Sequence, residues 1–137
     1  MFNRLLRVVT LLVWFFLIMA AGAETPKQRT ERFLKFGATL GSTYSGTYKA
    51  AGNLKFIDRV SDEQAWLLAR AYFYDFISLC GGVDLPLDKG QKWLFTTAVG
   101  IGGRPGPKIW VDKKSGDTWS PGKVRVTDRR IYLKIRE

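Results

Sequence analysis

One stretch, SDEQAWLLARAYFYDFISLC from Ser61 to Cys80, is apolar almost without relief. Within it Ala65, Leu68, Ala69, Tyr72, Phe76 and Leu79 recur at three- and four-residue steps, the period of a helix. Trp66, Phe73 and Ile77 form a second stripe beside the first, and only Glu63, Arg70, Asp75 and Ser78 interrupt the apolar surface. This pattern predicts a helix over 61–80. A helix apolar nearly all round is covered on more than one side. Ser61 and Gln64 have the spacing of a capping box. Asp62 and Glu63 place negative charge at the positive end of the helix dipole. Gly81 and Gly82 are expected to close the helix.

Downstream the periodicity shortens. Trp93 to Ile101, WLFTTAVGI, reads as one strand, continuous rather than alternating and so covered on both faces. GGRPGP at 102–107 breaks it, and Lys108 to Asp112 forms the next strand. Lys113 to Asp117 has the composition of a hairpin turn, with Gly116 supplying positive φ. Lys123 to Thr127 and Arg130 to Ile135 alternate, which predicts a half-solvated antiparallel strand with Ile131, Leu133 and Ile135 on one face and Tyr132 and Lys134 on the other. The fold class expected is α+β: one dominant helix packed on a curved, mainly antiparallel four- to five-stranded sheet.

Upstream, Gln28 to Phe36 predicts a short helix ended by Gly37, with Phe33 and Phe36 on one side. Residues 37–53, rich in Gly, Ser, Thr and Tyr, lack a sustained apolar period and read as a loop or weak strand. Residues 1–23 have the make-up of an export signal. Arg4 and Arg7 precede an apolar run of about 13 residues, too short to span a bilayer comfortably, and Ala21-Gly22-Ala23 is a small-residue cleavage pattern. Cleavage after Ala23 and a periplasmic or secreted location are expected, with no membrane span afterwards. The organisation is then a signal at 1–23, an N-terminal extension at 24–57 and one domain at 58–137.

Composition narrows the chemistry. The 137 residues contain no histidine and one cysteine. Histidine-based triads and metal sites are excluded, as are an internal disulfide and a thiolate zinc cluster. Cys80 reads as a buried apolar residue at a helix end. The carboxylates, Asp75, Asp84 and Asp112 among them, are scattered singly. The glycines at 100–103 before Arg104 lack both the Lys-Ser/Thr pair and the following helix of a phosphate loop. No cofactor, metal or catalytic residue is expected. The formal charge of +10 falls to about +8 without the two leader arginines. Much of it gathers in the last quarter, a face that attracts acidic partners.

From residue 58 to 122 the chain resembles the small bacterial immunity proteins with a nuclear-transport-factor-two-like, or cystatin-like, fold. The resemblance rests on the helix Asp62 to Leu79, Pro86, the Trp-led strand Trp93 to Val99, Gly102-Gly103, and IWVDKKSGDTW from Ile109 to Trp119. It implies binding without catalysis, as an exported inhibitor that neutralises a toxin. The basic charge, separately, would suit a toxin with acidic catalytic residues, such as a cell-wall hydrolase. The alternative is an envelope-binding module for anionic lipid or wall polymer. Nucleic acid is a poor candidate for an exported chain. The contact residues expected on chemical grounds are Arg104 on the glycine loop, Lys113 and Lys114 on the hairpin, and Trp110 and Trp119 beside them.

Overall fold

The computed structural model describes Arg7, residues 9–14, 22–41 and 44–136, and for 135 and 136 the backbone only. Most of the expected export signal, residues 1–6, 8 and 15–21, lies outside the described residues. Of the rest, 9–14 are helical, with Val9, Leu11, Leu12, Val13 and Trp14 each more than half exposed. Among the described residues no helix is long and apolar enough to cross a membrane. The chain divides into two compact units, Met1–Leu34 and Lys35–Glu137.

The protein is α+β, with antiparallel sheets of three and five strands. Helix α1 spans Pro26–Thr39, longer than the expected 28–36. Thr25 and Gln28 cap it reciprocally, each side chain accepting from the other's backbone N–H, and Pro26 supplies a preset φ at the first helical position. Gly37 lies inside the helix rather than ending it.

Residues 44–52 are not a loop but helix α2, Tyr44–Gly52. Thr47, Tyr48 and Ala51 are buried on one face. Its glycines, which made it look like a linker, serve close approach. A Cβ on Gly46 would overlap the Leu40 carbonyl oxygen, and one on Gly52 would overlap the Leu133 side chain at Cγ. Packing overrides weak helix propensity here.

Helix α3, Asp62–Phe76, carries the capping box read from Ser61 and Gln64. Ala65, Leu67, Leu68, Ala69, Ala71, Tyr72 and Phe73 are all buried, so the helix is covered on several sides. It is not the single dominant helix, since α1 is nearly as long. It also stops four residues before Cys80. Ile77 and Ser78 both donate to the Phe73 carbonyl. The Ser78 hydroxyl then takes the Cys80 N–H and donates to the Cys80 carbonyl, a local arrangement that competes with the helix. Cys80 is consequently exposed, not buried.

The expected strand 93–101 is two strands serving two sheets. Strand β3, Lys92–Phe95, and β4, Thr97–Val99, are divided at Thr96. The Thr96 hydroxyl donates to Asp84, and the Asp84 N–H donates to the Thr96 carbonyl. Strands β1 (Gly81–Val83), β4 and β5 (Arg104–Pro105) make the smaller sheet. A Cβ on Gly81, where φ is 120°, would overlap the Ala98 carbonyl oxygen, so only glycine fits. The larger sheet has the order β2 (Leu87–Asp88), β3, β6 (Ile109–Asp112), β7 (Thr118–Trp119) and β8 (Arg125–Val126).

The chain ends differently from its alternation. Residues Arg129–Arg136 form a 3₁₀ helix, not a strand. Asp128 turns the chain: its carboxylate accepts from the Arg130 N–H and its carbonyl from the Ile131 N–H. The expected sidedness is reversed. Tyr132 is fully buried, whereas Ile131 and Leu133 are more than a third exposed. Tyr132 stacks on Tyr48 of α2, with ring centroids 6.3 Å apart.

Candidate functional site

Register in the larger sheet sorts its side chains into two faces, because cross-strand partners point the same way. Trp93, Val111, Thr118 and Val126 are paired in one row. Val111, Thr118 and Val126 in that row are buried, and Val111 and Val126 belong to the core formed with α3. Leu87, Leu94, Trp110, Trp119 and Arg125 are paired in the other row, which runs across all five strands. This outer row is apolar and aromatic for most of its length and ends in a cation.

Two cations flank its tryptophans. The Lys92 ammonium lies 5.9 Å from the Trp110 ring centre and 5.2 Å from that of Trp119. The Arg125 guanidinium lies 4.1 Å from the Trp119 ring and pairs with Asp117 at 3.1 Å. Both tryptophans are half-buried and Lys92 is exposed. Trp93 and Trp66, by contrast, spend their indole N–H groups on the Val60 and Val83 carbonyls. A ring that faces a cation and keeps part of its surface in water is a ready anchor for a partner.

The structure separates the expected contact residues. Trp110 and Trp119 are brought together as direct cross-strand partners. Lys114 is exposed on the 113–115 turn and lines a cleft together with Asp58, Arg59, Gln91, Asp112 and Ser115. Arg104 is exposed in β5, in the other sheet, and does not join the tryptophans. Lys113 lines the same cleft but offers little surface to it. Its side chain is only 10% exposed, its ammonium pairs with Asp88, and it sits 4.2 Å from the Trp93 ring. The aliphatic stem is buried and the charge is satisfied within the fold. Lys92 was missed in the sequence. The signal for it was cross-strand placement: it is paired with Asp112, two pairs along from Trp110 and so on the same face.

The carboxylates near the turn are engaged in structure. Asp112 accepts from the N–H groups of Lys114 and Ser115, and the Ser115 N–H foremost holds its carboxyl below the usual range. The bond from Lys113 does the same for Asp88. Asp75 moves the other way, raised by burial. Among the described residues no group of three or more His, Cys, Asp or Glu is placed to hold a metal ion. No protein-family model, curated protein or solved structure matches the chain.

Proposed function

We propose that this is an exported, non-catalytic binding protein of the immunity or inhibitor type, which grips an acidic protein partner with the outer face of its larger sheet. The observation that carries the reading is the Trp110–Trp119 pair flanked by Lys92 and Arg125. The face offers apolar area from Leu87 and the two rings together with positive charge at its margin. That combination suits a partner with an acidic, partly apolar cleft, such as a toxin that hydrolyses cell wall with carboxylates. The resemblance of residues 58–122 to immunity proteins supports the same reading. The export signal read in residues 1–23 supports a compartment in the periplasm or the exterior.

The test is affinity capture from envelope extract at moderate salt, followed by titration of the captured protein. Wild-type protein is expected to retain one stoichiometric protein and to inhibit its hydrolytic activity. Trp110→Ala with Trp119→Ala should weaken that complex by about a hundredfold or more, since hot-spot tryptophans contribute about 2 kcal/mol or more apiece. Retention of the partner by the double variant would sink the assignment of the face.

A further inference from the structure

The end of the larger sheet opposite the Ser120–Lys123 turn carries a different feature. Ile57 is 97% exposed. It does not sit on a slack loop. On one side the Gln64 side-chain amide donates to the Lys55 carbonyl, and Phe56 lies under the Arg129 guanidinium at 4.6 Å. On the other side the Val60 N–H donates to the Lys113 carbonyl, and the Trp93 indole donates to the Val60 carbonyl. The segment is pinned at both ends and holds an isoleucine out in solvent.

Cations surround it. Lys55 and Arg59 flank it in sequence and are exposed. The Val60–Lys113 bond brings the 113–115 turn and Lys114 alongside. The Lys113 N–H donates to the Gln91 carbonyl, which places the β2–β3 turn and Lys89 at the same end. Of the carboxylates there, Asp88 is paired with Lys113 and Asp112 with backbone N–H groups. Asp62 and Glu63 are half-buried in the first turn of α3. Asp58 and Asp88 are the exposed carboxylates here; with Asp88 paired to Lys113, Asp58 is what remains against four exposed cations. Between Arg59 and Lys114 runs an open cleft of about 950 Å³.

We infer that this end docks on an anionic lipid surface, with Ile57 entering the apolar layer and phosphate headgroups meeting Arg59 and Lys114 in the cleft. The chemistry is that of peripheral membrane binding: a small apolar insertion combined with basic residues that together overcome weak individual affinities. Charge selects the occupant. An apolar protein groove would gain from Ile57 but would leave four cations desolvated, whereas a headgroup layer matches both parts. None of these residues belongs to the tryptophan face, so a lipid-docked molecule keeps that face available.

The experiment labels the full chain at Ile57→Cys with an environment-sensitive fluorophore, in a Cys80→Ser background, and at Lys123→Cys as the control. Vesicles of phosphatidylcholine containing about one-third phosphatidylglycerol should blue-shift the label at 57 and leave the one at 123 unchanged. Pure phosphatidylcholine should give no shift at 57, even where the apolar run at 8–20 holds the chain to the vesicle. Lys55→Glu with Arg59→Glu and Lys114→Glu should abolish the shift. Equal shifts on neutral and anionic vesicles, a shift at 123 as large as at 57, or an equal shift with soluble polyglutamate would overturn the proposal.

Discussion

Tyr132 shows how a single residue can run against the pattern around it. Its ring is fully buried, yet among the described residues its hydroxyl has no hydrogen-bond partner. Burial, reinforced by the nearby Asp75 charge, raises its pKa far beyond the ordinary range. An unpaired buried hydroxyl costs about 1–3 kcal/mol. Tyr132→Phe keeps the ring stacked on Tyr48 and removes that cost, so chemical denaturation should show it more stable by about 1 kcal/mol. Asp128 acts in the opposite sense. Its bonds from the Arg130 side chain and N–H lower its pKa to about 2. A depressed carboxylate adds stability above its unfolded pKa of about 4, and that contribution disappears as pH falls from there through about 2. The 3₁₀ segment should therefore lose amide-exchange protection over that acid interval. Asp128→Asn should already lack the extra protection at neutral pH.

Elements were legible where a local signal and packing agreed. The start of α3 is the clearest case, because Ser61 and Gln64 close a cap that needs nothing distant. Ser61→Ala should cost about 1 kcal/mol in thermal or urea unfolding, the usual worth of such a cap. Its end was illegible because Ser78 satisfies the Cys80 backbone outside the helix, which periodicity does not register. Helix α2 was hidden by its own glycines, whose purpose emerges only when Leu40 and Leu133 are seen against them. The last segment alternates like a strand, but Asp128 bends it into a 3₁₀ helix before it can reach a sheet edge. Of the candidate contacts, the nearness of Trp110 and Trp119 was legible because they flank a recognisable turn. Lys113 was misread because a lysine in a turn looks solvated, and nothing local reveals Asp88 and Trp93 waiting beside it.

At the scale of the whole molecule, one continuous stretch, 92–99, feeds two sheets through the Thr96–Asp84 joint. The larger sheet is otherwise built from neighbours in sequence, with the β4–β5 excursion inserted between β3 and β6. Its inner face and α3 complete each other: Val111 and Val126 bury against a helix that is apolar nearly all round. That order has a consequence in time. A chain made or threaded from its N-terminus presents α3 before any strand that covers it exists, and β6 and β8 come last. Short hairpins close quickly once they emerge, but until then the apolar surface of α3 stands without the strands that cover it. Safe passage of this chain depends on the interval between the emergence of Phe76 and that of Ile109 being short, or on something else shielding α3 while it lasts.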